Sequence, residues 1–271
     1  MITLFRRIRE KLIASGSLTK YLLYAVGEIL LVVIGILIAL QVNNWNEQRN
    51  RQANIRNYVR SMVSDIQQDQ AEIDIRIAQI KDRILRVNSF AEYMRNRSFE
   101  EVDNLDLMIY TKGSFTYRPF TWYRSSIEEI TSSGSLKDID DPELRDRIVA
   151  YYALQDHLDE DFQEDKRMGS QIEQYVAEIV KMNYPDWEVM YDESDILQYL
   201  DRKEWLDNQV YRKYKSYDYD LLINDNTKLD ELVNVSFRFV LVVANRSASE
   251  LPRLKQQGQE IIDLIEDRYG D

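Results

Sequence analysis

"VRSMVSDIQQDQAEIDIRIAQIKDRILRVNSFAEYM", residues 59–94, decides the fold. Val59, Ile66, Ile73, Ile80, Val87 and Met94 fall seven apart, and Val63, Ile77, Ile84 and Ala91 fill a companion position, with Gln70 its one polar member. A seven-residue apolar repeat held this long specifies a helix with a left-handed seam. Ile at both core positions leans toward three or more strands in an assembly of copies. The inner face of an intramolecular bundle is the reading that the stripe favours.

No Gly or Pro lies between Gly35 and Gly113, so the helix is expected to run unbroken from upstream to about Arg97. Upstream lies "YLLYAVGEILLVVIGILIALQVNNW", residues 21–45, in which Glu28 is the sole charged residue. Tyr21 to Val42 makes ~33 Å of helix at ~1.5 Å per residue, against a hydrocarbon core of ~30 Å. Tyr21, Tyr24 and Trp45 stand where an aromatic belt belongs. The run is too long for a cleaved signal, and "IALQVNN" lacks small residues at a cleavage position, so an uncleaved anchor is expected.

Arg6, Arg7, Arg9, Lys11 and Lys20 precede the span; Arg49, Arg51, Arg56 and Arg60 follow it. The excess on the first side favours a cytoplasmic N-terminus, with the body outside the inner membrane. A cytoplasmic body is the alternative orientation. In residues 1–20, Leu4, Phe5, Ile8 and Leu12 share a helical face, which suits a basic amphipathic segment lying in the interface. Within the span, Glu28, Gly35 and Ala39 fall near one face. The small pair permits close helix approach, and Glu28 would find a partner across such a contact.

Residues 46–271 read as an all-α extramembrane domain, since 8 Gly and 4 Pro in 271 residues leave little turn chemistry for a β-protein. Ser98–Glu101 spells a capping box for a short helix that ends near Gly113. In "SSIEEITSSGSLKDIDDPELRDRIVAYY", Gly134 suits a left-handed helix end, Asp141 an N-cap and Pro142 the first helical position. The second helix of this hairpin continues to Ile179. Residues 186–226, rich in Trp, Tyr and Asp, read as short helices and loops. Asn226 caps a last long helix with Leu229, Val233, Phe237, Val240 and Ala244 inward, and Pro252 kinks it.

"YAVGEILLVVIGILIALQVNNWNE" and "SSGSLKDIDDPELRDRIVAYY" together resemble an uncharacterised family of single-pass membrane proteins common in Bacteroidota. The resemblance implies a bacterial membrane location and no particular activity.

Residues 1–60 carry nine Lys/Arg and three Asp/Glu, a net of +6; the remaining 26 and 44 give −18, and the two sum to −12. So acidic a body excludes nucleic acid as a partner class. There is no Cys, hence no disulfide or thiolate site. His157, the sole His, shares a helical face with Glu160, Asp161 and Glu164, which a divalent cation could use; a solvated acidic face is the commoner outcome. No phosphate loop, dinucleotide fingerprint, nucleophile elbow or zinc-protease motif is present, and no cofactor is expected. Tyr117, Arg118, Phe120, Trp122, Tyr123 and Arg124 gather the residue types of binding hot spots, or form a lid over the bundle core. The sequence thus points to a membrane-anchored scaffold, accessory subunit or ligand-binding module. Its partners would be the lipid bilayer and a protein, which includes a second copy. A carboxylate-dependent hydrolase or lyase using residues 186–226 is the alternative from another class.

Overall fold

The structure, a computed structural model, describes residues 18–185 and 202–270. The expected amphipathic segment of residues 1–20 and the stretch 186–201 lie almost wholly outside them. Among the described residues every regular element is helical, so the fold is all-α.

Helix α1, Leu18–Arg95, is a single rod of 78 residues, ~117 Å at ~1.5 Å per residue. It is continuous, as the lack of Gly and Pro between residues 35 and 113 requires. Its two parts meet different surroundings. From Leu22 to Val42 every described large apolar side chain is at least 43% exposed. This part is long and apolar enough to cross a membrane. From Ile55 onward the same helix becomes the centre of a packed core.

Val59, Ile66, Ile73, Ile80 and Val87 are fully buried, so the seven-residue seam faces inward within one chain. The second buried row differs from the expected one. Ala91 is buried as expected, but Val63, Ile77 and Ile84 are only partly buried, and in the row one residue earlier Ile55, Met62, Asp69, Arg76 and Phe90 are buried, with Arg83 partly so. Helices on both sides draw α1 to the three-residue rather than the four-residue neighbour of the seam. The polar centre of this row hid it from hydrophobic periodicity.

After α1, Glu101 Oε2 accepts from the Ser98 N–H at 3.1 Å, but the box closes only a 3₁₀ turn, Phe99–Glu101. The following helix, α2 (Asn104–Thr111), takes its own cap from Asp103, whose side chain accepts from Asp106 N. An irregular strap then leads to α3 (Ser125–Ser132). Gly134 adopts φ +69°, the left-handed end expected of it, and Asp141 caps α4 (Pro142–Ile179) by accepting from Glu143 N. Short helices α5 (Arg202–Asp207) and α6 (Gln209–Lys215) precede α7 (Asn226–Asn245). The cap of α7 is Asp225, one residue before the one expected, accepting from Thr227 N and Lys228 N.

Helix α7 buries Leu229, Leu232, Ser236, Phe239 and Val243. The expected face was rotated by one residue, because "FRFVLVVAN" is apolar nearly all round and periodicity alone does not orient it. Ahead of Pro252 the helix widens into a π turn, Arg246–Glu250, and resumes as α8 (Leu251–Tyr269). The proline has no N–H to donate and its ring crowds the carbonyl four residues back, so the wider turn accommodates it.

Contacts fix the directions of the long rods. Arg60 donates to Tyr269 O and Lys255 pairs with Asp74, so α8 runs antiparallel to α1. Gln52 donates to Asp140 at 2.8 Å, and Tyr151 and Gln155 both reach Asp69, so α4 runs parallel to α1. The body is therefore a three-rod bundle of α1, α4 and the pair α7–α8 joined through the π turn. The α3–α4 loop and the end of α8 lie beside the stretch of α1 nearest the apolar segment.

Candidate functional site

The strap, Thr116–Arg124, lies in the groove between α1 and α4, and the polar centre of the second row on α1 holds it there. Arg83 Nε donates to Thr116 O at 2.8 Å, Arg76 Nε donates to Pro119 O at 3.0 Å, and Asp69 Oδ1 accepts from Tyr123 N at 2.8 Å. The spacing matches. Seven helical residues advance ~10.5 Å, and three or four extended residues cover ~10–13 Å. Peptide groups in a covered loop need such partners, since an unpaired buried N–H or C=O is costly.

Three buried carboxylates anchor this region. Asp69 also accepts from Tyr151 Oη at 3.0 Å and Gln155 Nε2 at 2.6 Å. Burial raises its pKa above the usual carboxylate value, and the hydrogen bonds from Tyr123, Tyr151 and Gln155 work in the opposite direction. Asp65 accepts from Ser126 N at 2.9 Å and Ser126 Oγ at 2.6 Å, capping α3 from another helix, where the residue before α3, Arg124, supplies no side-chain cap. Asp165, fully buried on α4, accepts from Tyr117 Oη at 2.7 Å, and burial together with that carboxylate pushes the Tyr117 phenol up.

The six residues of the expected aromatic and basic patch divide. Tyr117 and Phe120 are buried against Phe162, with ring centroids 5.3 and 6.2 Å from it. Trp122 stacks on Phe120 at 5.0 Å and donates to Asp159 Oδ1 at 2.9 Å. Arg124 donates to Gln155 and to Asp156, at 3.0 and 2.6 Å. Arg118 and Tyr123 are exposed. Most of the aromatic surface is thus engaged in closing the bundle.

Gly169 on α4 explains how closely the strap approaches. A Cβ built there would stand 1.9 Å from the Phe115 carbonyl oxygen. Sequence reading passed over Gly169 and the buried Asp65, Asp69, Arg76 and Asp165. The signal for two of them was present: a second seven-residue row in which Asp69 and Arg76, with Arg83, stand between Met62 and Phe90.

The expected cation face on α4 is reassembled. His157 and Asp161 converge with Glu250 of the π turn, with ligand atoms within 4.8 Å of one another. Glu160 is exposed and Glu164 pairs with Arg167. Arg246 already supplies a cation: its guanidinium meets Asp161 at 2.8 Å, Glu250 at 2.8 Å and Asp165 at 3.3 Å. The group acts as an ion-pair clamp between α4 and the π turn.

On the apolar part of α1, Gly35 and Ala39 are exposed, and nothing lies within 4 Å of a Cβ built at Gly35; Glu28 is half-buried. At the opposite end the tyrosines pack on one another. Tyr93–Tyr110, Tyr110–Trp205 and Tyr184–Tyr219 have centroids 4.7, 4.8 and 4.7 Å apart. Tyr211 donates to Asp106 at 2.7 Å, and Asn104 donates to the Tyr184 hydroxyl at 3.0 Å. Among the described residues of 202–226, Glu204, Asp207, Asp218, Asp220 and Asp225 are all exposed.

No curated protein and no solved structure matches the chain. A family model described as a family of unknown function (DUF6090) matches residues 28–164. Those residues take in the apolar helix, the seam, the strap and α4 as far as Glu164. With just over half of its length matched, the chain belongs to this family.

Proposed function

We propose that this chain is a membrane-anchored helical scaffold or accessory module of the bacterial inner membrane. It crosses the bilayer once, carries its body outside the cytoplasm and associates through the span with a second copy. One observation carries the reading: the exposed apolar helix and the central rod of the body are the same uninterrupted helix, α1. A flexible linker would leave the body free to tumble. A continuous rod transmits the orientation of the span to the bundle, which is what a positioning device requires. Among the described residues nothing covers the long apolar segment, and lipid would supply a cover.

Sidedness and association are tested separately. A C-terminal reporter active only outside the cytoplasm is expected to be active; fluorescence from a C-terminal reporter that folds only in the cytoplasm would reverse the orientation. Enlarging the small face by Gly35→Leu/Ala39→Leu is expected to reduce crosslinking of two copies in native membranes severalfold, because bulk on that face forces helix axes apart. Unchanged crosslinking would leave the span a plain anchor.

A further inference from the structure

The first half of the strap forms one wall of an open cleft of about 700 Å³ between α1 and α4. Its volume is in the range of ~300–1,000 Å³ typical of small-molecule sites. Arg83, Arg118 and Lys166 line it against a single carboxylate, Asp82, so the lining is net positive in a body of net charge −18. Asp82 pairs with both Arg83 and Arg86, at 2.8 Å each. Arg83 is further committed to Thr116 O. Arg118 and Lys166 have no ion pair or hydrogen bond among the described residues, though they stand on two different elements facing one space. The floor is aromatic, from Tyr117 and Phe162.

We propose that this cleft binds a small soluble organic anion, a phosphate monoester or carboxylate carried on an aromatic or apolar body. Arg118 and Lys166 take the charged group and the Tyr117–Phe162 surface takes the ring or chain. Arginine offers two parallel donors to such an oxyanion, and lysine a mobile point charge. Lipid headgroups offer the same chemistry, but distance disfavours them, a step that rests on the membrane reading above. Arg83 lies 38 residues beyond Trp45, so ~57 Å along α1, and a tilt of ~40° still leaves more than ~40 Å.

The test uses the full chain in phosphatidylcholine nanodiscs, with phenyl phosphate as the probe and calorimetry as the readout. Phenyl phosphate is expected to bind at millimolar concentration or below and more tightly than inorganic phosphate. Arg118→Gln/Lys166→Gln is expected to weaken it by about tenfold or more, since both charged donors to the oxyanion are removed. Both positions are exposed, so the melting temperature should not move, and Lys137→Gln, far along the bundle, should leave binding intact. Absence of binding, or binding unaffected by the double substitution, overturns the proposal. Nanodiscs containing phosphatidylglycerol should give the same affinity; competition by that lipid would assign the cleft to headgroups and overturn the soluble ligand. Co-purification of the chain with nanodiscs reports the membrane reading independently of the cleft.

Discussion

Asp69→Ala is expected to destabilise the body by roughly 3 kcal/mol or more, since each of three buried donors left without an acceptor costs ~1–3 kcal/mol. The total stability of a domain is only about 5–15 kcal/mol. Three donors lose their acceptor at once: Tyr123 N–H, Tyr151 Oη and Gln155 Nε2. One is a backbone group of the strap, which cannot turn to water without leaving the groove. Thermal unfolding of the detergent-solubilised chain measures this, and a melting temperature within a degree or two of the parent would show that the strap does not depend on Asp69. Asp69→Asn adds a test of sign. Burial raises the Asp69 pKa in the folded state, so the folded protein holds the proton more tightly than the unfolded chain. That contribution is full below the unfolded value of 3.8 and is lost as pH rises through the folded value. The stability difference between the parent and Asp69→Asn should therefore narrow as pH rises across that interval.

Gly169→Ala is expected to cost about 2 kcal/mol or more, although alanine is the better helix former by ~1 kcal/mol. The new methyl would stand 1.9 Å from Phe115 O and 3.1 Å from Phe115 C, both backbone atoms, so the chain itself has to move. Phe115 is fully buried, edge-on to Phe239 of α7 at 5.9 Å, and its displacement would loosen the join between the strap and the third rod. Two other glycines provide a scale. At Gly258 the nearest atom, Ile66 Cγ2 at 2.8 Å, is the end of a side chain that can shift, and a smaller loss is expected. At Gly35 there is open space, so alanine should be neutral. Equal losses at Gly169 and Gly258 would mean that the strap gives way as readily as a side chain does.

What the sequence by itself determined was local. A seven-residue apolar repeat with no Gly or Pro makes one long rod; a 22-residue uncharged run broken only by Glu28 makes the exposed apolar part of it; Gly134, Asp141 and Pro142 make the α3–α4 corner. Each depends on neighbours within a turn or two, where backbone sterics and caps act directly. Tertiary structure decided everything that depends on a partner far along the chain. It turned Asp69 and Arg76 inward because a strap some 40 to 55 residues later offers a peptide N–H and a carbonyl to them. It gave α3 its cap from Asp65, chose the buried face of the evenly apolar α7, and joined Arg246 to carboxylates on α4. Charged residues on a helix look like a solvated face until the segment that covers them is known. Their burial is favourable only when donor and acceptor arrive together, and no local pattern records that pairing.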